Sequence, residues 1–153
     1  MLRVMRAEST HFERPSPLER LFSRLFGKLV GLGVGLPHNF QLEVSGRRTG
    51  QLYATPVDVL VYRGKRFLVA GRGETQWVRN ARASGRVWLR RGRRREEVLV
   101  RALADGEKPE VLKAYLDRFK LTVQRYFPVP AGSSAEAFVA IAARYPVFEL
   151  TPA

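Results

Sequence analysis

The chain contains no cysteine, so disulfides, thiolate metal sites, iron–sulfur clusters and cysteine nucleophiles are all excluded. Histidine is nearly absent too, at His11 and His38 only. With no HExxH motif and no clustered carboxylates, zinc and non-haem iron sites lack their ligands. Neither a GxSxG elbow nor a GxxxxGK[ST] loop occurs, which removes the signatures of serine hydrolases and P-loop enzymes. The run Gly31-Leu32-Gly33-Val34-Gly35 is not a dinucleotide fingerprint, because its third glycine is misplaced and it is not set between a strand and a helix. No apolar run reaches the roughly 20 residues that span a bilayer, the stretch Leu29 to Pro37 included. The opening residues lack a charged, apolar and small-residue leader pattern, and a cytoplasmic setting is the expectation. Without these devices, an enzyme of this composition takes its reactive atoms from an organic cofactor.

Acidic residues are also scarce: 14 Asp and Glu face 27 Lys and Arg, for a net charge of +13. Arginine dominates, with Arg86, Arg90, Arg91, Arg93, Arg94 and Arg95 inside ten positions. Nucleic acid, an anionic lipid surface and a polyanionic small molecule all answer such a surplus. Scattered solvated side chains of an arginine-rich composition answer it as well. The 153 residues, 45% of them hydrophobic, fit one domain that buries roughly 70% of its extended-chain surface.

From Pro15 to Val34 the residues Leu18, Leu21, Phe22, Leu25, Phe26 and Leu29 recur every three or four positions, while Glu19, Arg20, Arg24 and Lys28 take the other side. This spacing predicts an amphipathic helix in an N-terminal segment, residues 1–37, which packs on the barrel or on an anionic membrane. From Phe40 the period becomes two, and strands are expected over Phe40–Ser45, Gln51–Tyr62 and Arg66–Ala70. A short helix over Thr75–Ala83 follows, then a hairpin of Arg86–Arg91 and Arg94–Leu103 around Gly92. A helix over Glu107–Phe119, a shorter one over Ala135–Arg144 and a closing strand at Pro146–Leu150 complete residues 38–153. About six antiparallel strands with peripheral helices predict a small barrel of α+β, mainly β class, since closure removes exposed edges.

Two segments suit a phosphate or a planar ring. In Ser45-Gly46-Arg47-Arg48-Thr49-Gly50, two guanidinium groups flank a glycine-bounded turn, ready for charge-assisted hydrogen bonds. In Val69-Ala70-Gly71-Arg72-Gly73-Glu74, small residues let backbone approach a ring edge. Beyond it, Trp77, Asn80 and Ala81 share one helix face, and Arg79 and Arg82 another.

The runs LEVSGRRTGQLYATPV and FLVAGRGETQWVRNARASGRVWLRRG resemble the deazaflavin-dependent nitroreductase family, a branch of the split-barrel flavin and deazaflavin oxidoreductases. The likeness extends over Phe40 to Leu150, including Tyr145-Pro146-Val147-Phe148-Glu149-Leu150. It implies a split β-barrel that binds the deazaflavin coenzyme F-420, with FMN as the alternative. Hydride then passes from the reduced cofactor to a small, hydrophobic, electron-poor acceptor such as a quinone, an activated alkene or a nitro compound. Of the family's pattern T-G-R-[KR]-[ST]-G-x-x-R-x-x-P-[LV], the chain matches Gly46, Arg47, Arg48, Thr49, Gly50, Pro56 and Val57, but carries Tyr53 where arginine is expected. The resemblance thus assigns Arg47, Arg48, Thr49, Tyr53, Thr55 and Pro56 to the cofactor's phosphate and acidic tail, with tail binding weakened by Tyr53. It assigns the backbone of Ala70, Gly71, Arg72 and Gly73 to the ring's pyrimidine edge and pairs Trp77 with Asn80. Tyr126 lies in a segment, Val123 to Ala131, that covers the substrate, as packing or as proton donor. The loop before Trp77 is shorter than in nitroimidazole-reducing members.

Other readings remain: a homodimer, a lipid or fatty-acid carrier using the barrel cavity, and a basic nucleic-acid-binding barrel in which Tyr53, Trp77 and Trp88 stack bases. Against the last, the arginines gather in turns instead of alternating with aromatics along a sheet face.

Overall fold

The computed structural model describes residues 38–153; the expected N-terminal helix over 15–34 lies outside them. Seven antiparallel strands form one sheet: β1 (Asn39–Ser45), β2 (Leu52–Asp58), β3 (Leu60–Tyr62), β4 (Lys65–Val69), β5 (Arg86–Arg91), β6 (Arg94–Ala102) and β7 (Val147–Pro152). Their spatial order is β2-β1-β5-β6-β7-β4-β3. β2 and β3 therefore occupy opposite edges although only Val59 separates them in sequence. A sheet whose two edges are joined by one residue must curl back on itself, and the result is a split barrel.

The single strand expected over Gln51–Tyr62 is thus two. The period-two run Val57, Val59, Val61 conceals the break because Val59 stays buried while the chain bends there. Its N–H still donates to the His38 carbonyl at 2.9 Å, one rung beyond the Asn39↔Asp58 pair and in the same register, and just past it β3 leaves β1 and pairs with β4.

Alternation fills the barrel: Leu42 and Val44 of β1, Val87 and Leu89 of β5, Val98 of β6, Phe148 and Leu150 of β7 and Leu68 of β4 form one buried cluster. Truncating such a side chain to alanine costs about 2–5 kcal/mol through lost transfer energy and the cavity left behind. Helix α1 (Gln76–Ser84) caps one end of this barrel through Val78 and Ala81. Helix α2 (Pro109–Val123) buries Val111, Leu112, Tyr115, Leu116 and Phe119 against β3 and β4 in a second cluster with Phe127, Phe138 and Tyr145. It starts two residues later than expected because Pro109, lacking an N–H, takes the first turn; a 3-10 turn over Asp105–Glu107 precedes it.

The segment Ala135–Arg144 is wound as 3-10 helix, not as the α-helix its alanines favour. The tighter winding rises about 2.0 Å per residue against about 1.5 Å. The chain is thereby stretched between Ser133, whose carbonyl is held by Lys113 Nζ at 2.8 Å, and the start of β7. No helix among the described residues is long and apolar enough to cross a membrane.

Candidate functional site

The turn after β1 is held by its own backbone: Gly46 N–H donates to the Gln51 carbonyl at 2.7 Å and Gly50 N–H to the Gly46 carbonyl at 2.8 Å. Gly50 has φ 74°, a conformation that only glycine adopts cheaply. Thr49 Oγ1 accepts from Gln51 N–H at 3.2 Å. Arg47, Arg48 and Thr49 are exposed at the rim.

Helix α1 lies beside this turn and fixes it. The buried Asn80 Oδ1 accepts from the Arg47 N–H at 3.0 Å and from Arg47 Nη1 at 2.9 Å. Gln76 Oε1 accepts from the same Nη1 at 2.8 Å. Only the oxygen of the Asn80 amide can receive two donors, so its orientation is settled by the contacts themselves. The guanidinium spends one nitrogen on the helix, and the N–H groups of Nη2 and Nε point elsewhere, held in direction at little further entropic cost. Gln76 was not among the residues that the motifs singled out; its signal is the i, i+4 spacing to Asn80 on one helix face.

The second half of the site is the loop between β4 and α1. Ala70 N–H donates to the Pro146 carbonyl, Gly73 N–H to the Ala70 carbonyl and Thr75 N–H to the Gly73 carbonyl, at 2.9, 3.0 and 2.9 Å. Gly73 is buried with φ 86°. Gly71 N–H makes no hydrogen bond among the described residues, and a Cβ built on Gly71 would touch the Tyr126 ring at 3.5 Å. Tyr126 therefore lies over the glycine backbone, positioned by its own carbonyl, which accepts from Tyr145 Oη at 2.6 Å. The adjacent Phe127 stacks on Tyr145 with centroids 4.5 Å apart. Trp77 packs on Phe148 at 6.0 Å, half-buried at the edge of the barrel core.

At the start of α1, Thr75 does not cap the helix. Its Oγ1 is buried and has no hydrogen-bond partner among the described residues. No acidic side chain occupies the first turn, so the positive end of the helix is uncompensated there. Glu74 instead reaches Arg82 in a bidentate pair, at 2.6 and 3.1 Å.

The structure thus brings together the turn residues Arg47, Arg48 and Thr49, the loop Ala70–Gly73, Asn80 and Tyr126. It separates others. The register Val44↔Tyr53 and Leu42↔Thr55 puts Tyr53 and Thr55 on the core-facing side of β2, and Pro56 on the opposite side. Tyr53 lies against the turn, since a Cβ on Gly46 would come within 2.7 Å of its ring. The backbone of the turn offers less than the sequence suggests, because the N–H groups of Gly46, Arg47, Gly50 and Gln51 are already engaged.

Deeper in the molecule, Asp58 accepts from Asn39 Nδ2 at 2.5 Å and faces His38 Nε2 at 3.5 Å. Burial holds its carboxyl above the usual range, against the opposing pull of His38. Burial likewise pushes the Tyr115 phenol far up, helped by Asp58 and Tyr126. No group of three or more metal-ligating side chains exists among the described residues.

The F420H(2)-dependent quinone reductase family matches residues 19–126 of the chain. No curated protein matches it. Among solved structures, the protein Atu2129 of unknown function from Agrobacterium tumefaciens is 15% identical, with TM-score 0.54; the alignment covers 94% of this chain and 59% of that one. An F420-H2 dependent reductase (FDR-A) is 18% identical, with TM-score 0.51, over 78% of this chain and 100% of that one. The heme storage protein HutZ from Vibrio cholerae is 12% identical, with TM-score 0.54, over 90% and 92%. At these identities the structural likenesses carry the fold alone.

Proposed function

The chain belongs to the F420H(2)-dependent quinone reductase family, and from that premise we propose that it holds coenzyme F-420 between the Ser45–Gly50 turn and the Ala70–Gly73 loop for reduction of a small quinone. The chain is accordingly an oxidoreductase of that family and uses its deazaflavin cofactor. The reduced cofactor supplies a hydride from a ring carbon.

What the chain supplies is positioning. The observation that carries the reading is Arg47, clamped by Gln76 and Asn80 so that its remaining N–H groups meet an anion in a fixed direction. Arg48, with no partner among the described residues, adds a second charge for a phosphate or acidic tail. The uncapped start of α1 and the unpartnered Thr75 hydroxyl fit the same kind of group. The Gly71 N–H, which makes no hydrogen bond among the described residues, is the strip's donor for the edge of a planar ring. Tyr126 covers that strip and excludes water, so that donor and acceptor are held in a near-attack geometry. No acid–base residue is required for the hydride step. Tyr126 acts by packing, and the acceptor class extends to activated alkenes and nitro compounds because the fit is by shape and desolvation.

The test is oxidation of reduced F-420 by menadione, followed spectroscopically beside reduced FMN and NADH. Turnover with the deazaflavin alone, and a Michaelis constant for it that rises with salt, is the expected outcome. Tight FMN binding with no response to F-420 overturns the cofactor assignment.

A further inference from the structure

The sheet alternation that fills the barrel continues past its apolar core at the end away from the Ser45–Gly50 turn, and there it changes chemistry. Leu42 pairs with Leu89 and Leu89 with Glu96; Gln41 pairs with Arg90 and Arg91 with Arg94. Period two therefore puts Phe40, Arg91 and Arg94 on the same core-facing side as the buried Leu42 and Leu89. Together with Arg95 and Glu96 these residues line an open cleft of about 660 Å³. Its floor is apolar, through Leu89 and Phe40, and Arg91 lies over the Phe40 ring at 5.9 Å. Its one acid, Glu96, is already neutralised by a bidentate pair with Arg66, both bonds at 2.9 Å. Arg95 is held over Trp88 at 4.7 Å and bonded to the buried Glu43 at 2.6 Å. The type of turn fixes the rim, since Gly92 at φ 59° takes the hairpin's first central position.

We propose that this cleft is a second binding site, distinct from the cofactor groove, for a free anion with an apolar body: a carboxylate or phosphate carrying an alkyl chain. The apolar floor takes the chain and the Arg91–Arg94 rim takes the head. Charge complementarity selects this occupant over the alternatives. Residues 1–37 of the chain are themselves basic, with six Lys and Arg against three Glu, and a second copy brings a net charge of +13. Either would set cation against cation.

The probe is decanoate below its micelle concentration, titrated calorimetrically into the full-length protein without cofactor, so the result stands apart from the cofactor assignment. Decanol, inorganic phosphate and phosphatidylglycerol vesicles serve as comparisons. Saturable decanoate binding is expected, at least tenfold tighter than decanol or phosphate. It should weaken at least tenfold in R91A/R94A and in the single charge reversal R94E, each checked for an unchanged melting temperature, and stay within twofold in R47A/R48A. Loss of binding in R47A/R48A instead would move the ligand to the cofactor groove and overturn the proposal. Equal affinity for phosphate alone would mean an adventitious ion only, and equal affinity for decanol a nonspecific apolar contact. Binding to vesicles without binding to the monomer would make the rim a membrane contact, and absence of any binding would refute the site outright.

Discussion

Replacing Asn80 by aspartate separates the two jobs that Arg47 performs. The carboxylate can accept both hydrogen bonds that Asn80 Oδ1 now accepts, from the Arg47 N–H at 3.0 Å and Nη1 at 2.9 Å. The turn should stay clamped, and the melting temperature should stay within about 3 °C of the parent, because the cost of burying the charge is offset by the guanidinium beside it. The anion site, however, loses its field. A phosphate bound on the far side of Arg47 would sit about 7 Å from the new charge. At an effective dielectric near 20 that is roughly 2.4 kcal/mol of repulsion per unit charge, reduced to about 1 by physiological salt. For a phosphate that links ring to tail, a diester with one charge, the penalty is about 1 kcal/mol, roughly a fivefold loss of affinity. N80A does the reverse: it leaves a main-chain N–H and a guanidinium without their acceptor. It should cost about 1–2 kcal/mol of stability, near 3–8 °C, since water replaces part of what is lost at this exposed rim. Fluorescence titration of F-420 with each variant, beside thermal melts, measures both effects. If N80D binds F-420 as the parent does, Arg47 does not meet the cofactor's phosphate.

Three further outcomes are expected. G71A should fold normally and keep turnover within about twofold, because its Cβ meets Tyr126 at an ordinary 3.5 Å and so leaves the Gly71 N–H free to face the ring's edge; stopped-flow oxidation of reduced F-420 checks it, and a loss of tenfold or more would mean that the ring lies where Tyr126 now packs. Y126F should keep turnover within twofold while Y126A loses it, and a large loss in Y126F would make the phenol a proton donor. Acid should destabilise the fold through Glu96 and Asp117, whose carboxyls are held below their usual 4.5 and 3.8 by Arg66 and Lys113 respectively. Their contribution is present above those values and is lost as pH falls through the lower folded ones. E96Q and D117N should therefore flatten the drop in melting temperature between about pH 5 and pH 3. Asp58 has the opposite sign, since its raised carboxyl favours the protonated form in the fold, so D58N should steepen that drop.

The turns and strands were legible because each is written locally: glycines bound the hairpins, and the apolar period of two runs through β1, β5, β6 and β7. What the sequence hid is where one local signal is compatible with two structures. Val57, Val59 and Val61 read as one strand, although the chain turns a corner at Val59, beyond which Leu60 is buried and Val61 exposed. Tyr53, Thr55 and Pro56 belong to one motif, but the pleat sends the third away from the other two. Ala135–Arg144 has helical spacing and alanine content, and only the distance it must bridge decides for 3-10 winding. The clamp on Arg47 was out of reach for another reason: its partner is 33 residues away. The motif marks both ends and says nothing of the bond between them.

The same distinction decides what the net charge of +13 means. Scattered solvation predicts arginines whose carboxylate partners are distributed without pattern. Instead, nine of the eleven carboxylates in residues 38–153, all but Asp58 and Glu136, form ion pairs with lysine or arginine. Several of these pairs tie neighbouring strands, as Arg101 on β6 to Glu149 on β7, and Arg66 on β4 reaches across β7 to Glu96 on β6. Arg47 and Arg48 at one end, and Arg93 at the other, have no carboxylate partner among the described residues, and Arg94 beside it acts on Glu96 without a hydrogen bond. Surface ion pairs contribute little individually, so the acids do less for stability than for distribution: they cancel the wall and leave two cationic ends. An anion approaching from solution meets unpaired cations at both ends, and the ends differ in what lies behind the charge. Behind Arg47 are a clamped helix terminus and a glycine strip, which suit a rigid ring with a phosphate; behind Arg94 are Phe40 and Leu89, which suit a flexible apolar chain.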